Sequence, residues 1–314
     1  MTIKEQLQLI QKLLGKSQEK LAAELGVSFP TLNSWINGRS LPRKKAQERI
    51  EELFRRLTGK TVIPATVLEA KKQAVAVKGQ AYQSVLKTIL ENKDIYDQFV
   101  LSLTYNTNRI EGSTLTEPET AAILFQNAAL PDKTIIEQME VKNHQAALQY
   151  MFRHLRENGK IDESFILKMH GILLNGIQED AGHYRNHGVR IVGFNVPTAN
   201  HLKIPAMMQS LIKEIHAKNG DILYRVAAVH SRFEQIHPFS DGNGRIGRLI
   251  LDAMLLRENL PPAVILQEKR RFYILYLNKS QIENEFSQLE DFIAEAVLDA
   301  FAVLEREFRA SRSK

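Results

Sequence analysis

The chain has 314 residues, 44% hydrophobic and 25% charged, a composition that supports a sizeable core and room for two domains. It contains no cysteine, which excludes disulfides and thiolate metal sites and predicts a reducing, cytoplasmic setting. No run of about 18 apolar residues predicts a membrane span, and the opening residues lack the apolar stretch of a signal peptide.

The formal charge of +6 sits at one end. Residues 1–60 hold 12 Lys and Arg against 6 Asp and Glu, whereas the remainder balances at 30 and 30. An anionic partner, nucleic acid first, is therefore expected for the N-terminal segment. Leu7, Ile10, Leu13 and Leu14 have helical spacing. Ser17 reads as the N-cap of a helix over 18–25 that Gly26 stops. Ser28 caps the next, over 29–36, which Asn37 and Gly38 end, and Pro42 opens a fourth running to about Leu57. Two short helices joined by a glycine turn make a helix-turn-helix.

The run from Ser17 to Arg39 is similar to the Cro-like (XRE) DNA-binding family, over about residues 3–57. The resemblance implies that the second short helix enters the major groove, with Ser28, Phe29, Thr31, Asn33 and Ser34 facing base edges. Gln18, Arg39, Arg43 and Lys44 are better placed for phosphate. Leu21, Leu25, Val27, Leu32, Trp35 and Ile36 form the expected core. One such module binds DNA weakly, so a homodimer on half-sites roughly 34 Å apart is expected. This domain is bounded at 1–60, and residues 61–92 read as a linker with a connecting helix near 69–78.

A second, mainly α domain is expected over 93–314, with helices at roughly 94–107, 117–127, 133–156, 162–175, 203–218, 222–236, 244–258 and 287–308. One strand signal interrupts them, from Gly188 to Val192. A lone strand cannot persist, so a β-hairpin is implied.

The most specific stretch runs from His237 to Arg248. It combines a base, the carboxylate of Asp241, two glycines around Asn243 and two cations, Arg245 and Arg248, ahead of an apolar helix. Glycines before a helix leave backbone N–H groups pointing outward, a nest that attracts phosphate. Arg245 and Arg248, three apart, share one helical face. His230 lies seven residues before His237, but without a third ligand at a recognisable spacing it reads as a packing histidine.

This stretch resembles the signature of the Fic family, HxFx(D/E)GNGRxxR, with every specified position present. The resemblance implies an all-helical Fic domain with one hairpin flap at about 187–200, preceded by Gly182 and Arg185, which clamps a target segment as an added strand. It implies transfer of AMP from ATP to a hydroxyl of a target protein. His237 would take the hydroxyl proton, and Asp241 would hold Mg²⁺. Backbone N–H groups of Gly242 to Gly244, with the Asn243 amide, would bind the α-phosphate, and Arg245 and Arg248 the β- and γ-phosphates. Tyr273 would wall the adenine, with Ile274 and Gln281 standing where the family carries a second Tyr and an Asn. Upstream, Thr107, Glu111 and Gly112 resemble the inhibitory motif (S/T)xxxE(G/N), on a helix at about 94–111. Its glutamate would pair with Arg248, competing with the γ-phosphate. In some family members the same glutamate serves removal of AMP. The alternative reading is a transcriptional regulator whose Fic domain only senses nucleotide; the presence of a base, His237, argues against it.

Overall fold

The computed structural model of the chain describes residues 3–58, 65–189, 196–218 and 220–311. Contacts divide it into two units, Met1–Leu68 and Glu69–Lys314.

In the first unit each helix starts or stops where the sequence supplies the chemistry. After α1 (Ile3–Leu14), the Ser17 side chain accepts the Lys20 N–H and opens α2 (Gln18–Leu25), which Gly26 closes at a left-handed φ of 68°. Ser28 likewise accepts the Thr31 N–H ahead of α3 (Phe29–Ile36). α4 (Lys44–Thr58) begins two residues after Pro42. Leu7, Ile10, Leu21, Leu25, Leu32, Trp35, Ile36, Ile50 and Phe54 form one buried cluster; Val27 packs on its edge.

The second unit is also helical. Its first helix is α5 (Ala65–Gln80), most of which lies in this unit. Lys72 pairs with Asp221 at 2.7 Å and Glu290 at 3.0 Å, and the Asn259 amide donates to the Gly79 carbonyl at 3.1 Å. Residues 69–80 are thus bonded into this unit rather than forming a free linker. There follow α6 (Val85–Glu91), α7 (Lys93–Ile110), α8 (Glu117–Gln126), α9 (Ile135–Arg156), α10 (Glu163–Leu173), α11 (Ile204–Ile215), α12 (Ile222–Ile236), α13 (Asn243–Arg257), α14 (Arg270–Glu283) and α15 (Ser287–Ser311). α13 is buried on nearly every face, its apolar run from Leu249 to Leu256 broken only by the buried Asp252, and packs against α7, α9, α10 and α12.

Among the described residues there is no strand. The heart of the expected hairpin, 190–195, lies outside them. Its two shoulders, 187–189 and 196–200, are irregular, and the Thr198 hydroxyl donates to the Val189 carbonyl at 2.7 Å. Nor is any helix among the described residues long and apolar enough to cross a membrane.

The single tryptophan reports the first unit alone, since Trp35 lies in its core. Leu32→Ala should lower the stability of that unit by about 2–5 kcal/mol. Denaturant unfolding checks this: the Trp35 fluorescence transition should move to lower denaturant, while a far-ultraviolet transition from the second unit stays where it was.

Candidate active site

His237 caps the C-terminus of α12 in the left-handed region, at φ 51°, with its N–H still bonded to the Phe233 carbonyl at 2.9 Å. Few residues other than glycine sit there, so surrounding bonds must hold it. The Arg185 Nε donates to the His237 carbonyl at 2.7 Å. The ring Nδ1 faces the Glu234 carbonyl at 3.2 Å. A carbonyl only accepts, so Nδ1 carries the proton and Nε2 is left as the free base. Burial pulls the imidazole pKa below its ordinary value, which favours the neutral base.

Arg185 does more than touch His237. Its guanidinium also donates to the carbonyls of Ile236 at 3.3 Å, His187 at 2.5 Å and Ala199 at 2.6 Å. It meets four carbonyls and no carboxylate, and ties both shoulders of the 187–199 stretch to the backbone of the base. His170 braces the other side of the loop. It accepts the Gly182 N–H at 2.8 Å, faces the Asp241 carbonyl at 3.1 Å, and stacks on Phe239 with ring centroids 3.7 Å apart.

Phe239 is fully buried, an anchor beneath the loop. The Asn243 side chain accepts the Phe239 N–H and donates to the Phe239 carbonyl, both at 2.9 Å. This corrects the expectation that the Asn243 amide faces a phosphate: both of its polar atoms are committed to closing the loop. What remains for an anion is backbone. Ile246 is the first residue of α13 to return a hydrogen bond, to the Gly242 carbonyl, so the N–H groups of Asn243, Gly244 and Arg245 have no intrahelical acceptor.

Arg245 is also more engaged than expected. It is buried against Glu140 of α9 at 2.6 Å, and its other amino group lies 3.3 Å from Asp241. Asp241 remains 52% exposed at the mouth of the loop. No cluster of three or more His, Cys, Asp or Glu suited to a metal occurs among the described residues. A single open carboxylate beside a phosphate nest fits a Mg²⁺ ion that takes one protein ligand, with substrate phosphates and water completing its shell.

Arg248 points from α13 toward the end of α7. Its Nε donates to the Thr107 hydroxyl at 2.7 Å, and one amino group meets Glu111 at 2.5 Å and the Thr107 carbonyl at 3.4 Å. Burial opposes the charge, but Glu111 overrides it and keeps the guanidinium protonated. Thr107 and Glu111, four apart on one helical face, therefore converge on the same cation. A Cβ at Gly244 would overlap the Glu111 carboxylate, so the glycine makes room for the pair. Arg270 donates to the Ile110 carbonyl at 2.8 Å and fixes the helix end.

Beside this pair opens a cavity of about 190 Å³, lined by His237, Gly244, Arg248, Tyr273, Ile274 and Gln281, with Glu111 and Glu234 at its wall. Tyr273 is 1% exposed; its hydroxyl meets His230 Nε2 at 2.7 Å and its ring lies 6.0 Å from the Arg248 Cζ. It is a wall, with its polar end already used. His230 is buried and held neutral, its pKa pulled down by burial to about 3.

In the first unit Gln18 is drawn inward, its carbonyl accepting the Asn33 amide at 3.0 Å, so the expected phosphate contact is correspondingly weakened. Ser28, Phe29, Arg39 and Arg43 are exposed, and Thr31 and Asn33 half-buried on the same helix. Glu140, His170 and Glu234 have no counterpart among the sequence expectations, and Arg185 has one only as part of the flap resemblance. Each acts on the loop, and nothing in the local pattern marks them.

Residues 160–255 match the Fic/DOC family, and residues 7–57 match a helix-turn-helix family. The chain carries a Fic domain behind a helix-turn-helix domain. It is 34% identical over 193 residues to the protein adenylyltransferase Fic of Nematostella vectensis, covering 60% of this chain and 44% of the relative. The corresponding protein of Drosophila ananassae is 27% identical over 232 residues, covering 73% and 45%. The chain thus spans less than half the length of these relatives. Among solved structures, a Fic domain containing signaling protein from Bacteroides thetaiotaomicron superposes with a TM-score of 0.65 at 23% identity, over 75% of this chain and 98% of the other. A Fic family protein from Desulfovibrio desulfuricans superposes at 0.63 with 25% identity, over 81% and 77%.

Within this Fic domain, Arg185→Met should cost about 2–4 kcal/mol by leaving buried carbonyls without donors. Thermal denaturation followed by far-ultraviolet circular dichroism, which reads the second unit, would reveal an unchanged transition if the bonds carried no weight.

Proposed function

We propose that the chain is a protein AMP-transferase held in check by Glu111. The observation that carries this reading is the juxtaposition of a free imidazole nitrogen, a helix N-terminus and a carboxylate-capped arginine around one cavity. An ATP polyphosphate laid on the α13 N-terminus would meet the free N–H groups at its α-phosphate. Asp241 would supply the protein ligand to Mg²⁺, which neutralises charge on the departing phosphates. His237 Nε2 would take the proton from a Ser, Thr or Tyr hydroxyl as that oxygen attacks the α-phosphorus and pyrophosphate leaves. Arg248 would serve the terminal phosphate, but only once Glu111 has given it up. Two anions compete for one cation, so activity follows the fraction of molecules in which Glu111 is displaced. The names of the curated relatives support AMP transfer. The same glutamate also leaves room for the reverse task, removal of AMP.

The N-terminal unit is proposed to bind DNA through α3, with Arg39 and Arg43 on phosphates and two copies on adjacent half-sites. Its exposed basic residues and its helix-turn-helix match support this.

Glu111→Gly should raise transfer of label from α-labelled ATP, to the chain itself or to a lysate protein, by about 5- to 150-fold; unchanged labelling would sink the autoinhibition. His237→Ala in that background should lower labelling by about 10²–10⁴-fold. Because burial depresses the His237 pKa, activity should persist as pH falls below about 6.5 and be lost only in more acid solution. Replacing both Arg39 and Arg43 by Ala should weaken DNA retention and flatten its salt dependence by about two units of slope. Retention that ignores these changes would refute the assignment.

A further inference from the structure

Glu234 is the acidic group in this site that the reading above leaves without a task. It stands on α12, one turn before His237, and is only 6% exposed. Its Oε1 is fully buried and has no hydrogen-bond partner. It is not packed away from the chemistry: it shares the 190 Å³ cavity with His237, Gly244, Arg248 and Tyr273. The room it occupies is made by a second glycine. A Cβ at Gly247 would overlap Glu234 Oε1, just as one at Gly244 would overlap Glu111 Oε1. Residues three apart on a helix are neighbours on one face. Two carboxyl groups, from α7 and α12, therefore rest side by side on two bare positions of α13, beside the Arg248 guanidinium.

One cation cannot keep two adjacent carboxylates ionised in a dry site. Glu111 holds the 2.5 Å contact with Arg248, and Glu234 makes none. Burial, reinforced by Glu111 and opposed by Arg248, pushes Glu234 up to about 8. The other groups around it do not supply or take its proton near neutrality. His230 on its own helix is held neutral down to about 3, His237 is depressed, and Tyr273 on α14 is raised. Arg248 stays charged. A buried acid without a partner costs stability that an apolar residue would not, which directs attention to a ligand that completes it.

We propose that Glu234 is a specificity residue of this site, a neutral carboxylic acid that donates a hydrogen bond to the nucleotide phosphate oxygen seated next to Arg248. The inference rests on the nucleotide reading above and adds a proton to it. A phosphate can accept from Glu234 only while the acid keeps its proton, and an ionised Glu234 would both repel that phosphate and claim Arg248. Nucleotides that reach past the α-phosphate are thereby selected, and their uptake is linked to one proton.

The test is equilibrium binding of ATP, AMP and adenosine to the full chain between pH 7 and pH 9, in the presence of Mg²⁺, with Glu234→Gln beside the parent. Affinity of the parent for ATP should fall about tenfold across this range, the loss expected when one group titrating near 8 must be protonated. The amide of Glu234→Gln still donates and cannot ionise, so its affinity should match the parent at pH 7 and stay flat to pH 9. AMP and adenosine should show no fall with either protein. Calorimetry in two buffers of different ionisation enthalpy provides a readout that a purely structural role would not move. At pH 8.5 the parent should take up more than about half a proton per ATP bound and the variant none. A flat parent profile, a variant that falls like the parent, or an equal fall for adenosine would overturn the assignment. A chain that binds ATP without pH dependence yet transfers AMP would sink the role of Glu234 alone. A chain that binds no nucleotide would sink both readings.

Discussion

A guanidinium buried on the central helix must have an anion, and the site is organised around which one it has. Arg248 lies on α13 where α7 and α12 converge and is largely buried. With Glu111 in contact and Thr107 accepting from its Nε and one amino group, the resting state supplies its counter-charge from within the chain. A ligand that takes Arg248 must therefore bring negative charge of its own, and must be small enough or flexible enough to enter beside Tyr273. The same requirement explains the glycines of α13. At 244 and 247 a side chain would overlap the carboxyl groups lying against the helix, so the missing atoms are as much a part of the site as the charges.

The loop that carries the base is held by residues drawn from distant parts of the chain. Asn243 closes it on itself, His170 supports it from α10, Glu140 braces Arg245 from α9, and Arg185 gathers four carbonyls around its root. Together these bonds fix a backbone that would otherwise be free to leave the left-handed region. Pre-organisation of this kind places donors and base before a substrate arrives, so little reorganisation is needed at the moment of reaction.

The sequence exposed what is local. Ser17, Gly26 and Ser28 mark helix ends through bonds that span three or four residues, and the His237 to Arg248 run carries its own spacing. Thr107 and Glu111 were legible through their resemblance to a known motif, and the structure puts both on Arg248. Glu140, His170, Arg185 and Glu234 were not assigned roles from pattern. The bonds by which Glu140, His170 and Arg185 hold the loop join residues 52 to 105 positions apart, and Glu234 lines a cavity with no partner for its buried Oε1. α14 escaped because Phe272 to Leu277 are apolar without interruption, which leaves no 3.6-residue period to detect. Asn243 was assigned to the wrong task for a related reason: an amide in a phosphate loop looks like a ligand until the Phe239 backbone is seen to use both its ends.

The left-handed conformation of His237 has a consequence for evolution. Asparagine or glycine relaxes at such a position, whereas an imidazole there carries about 1 kcal/mol of backbone strain. A lineage that no longer needed a base would gain stability by drifting to either residue, and the loop would still close through Asn243 and Phe239. A histidine at a place the backbone resists is thus a local cost that its chemistry has to offset.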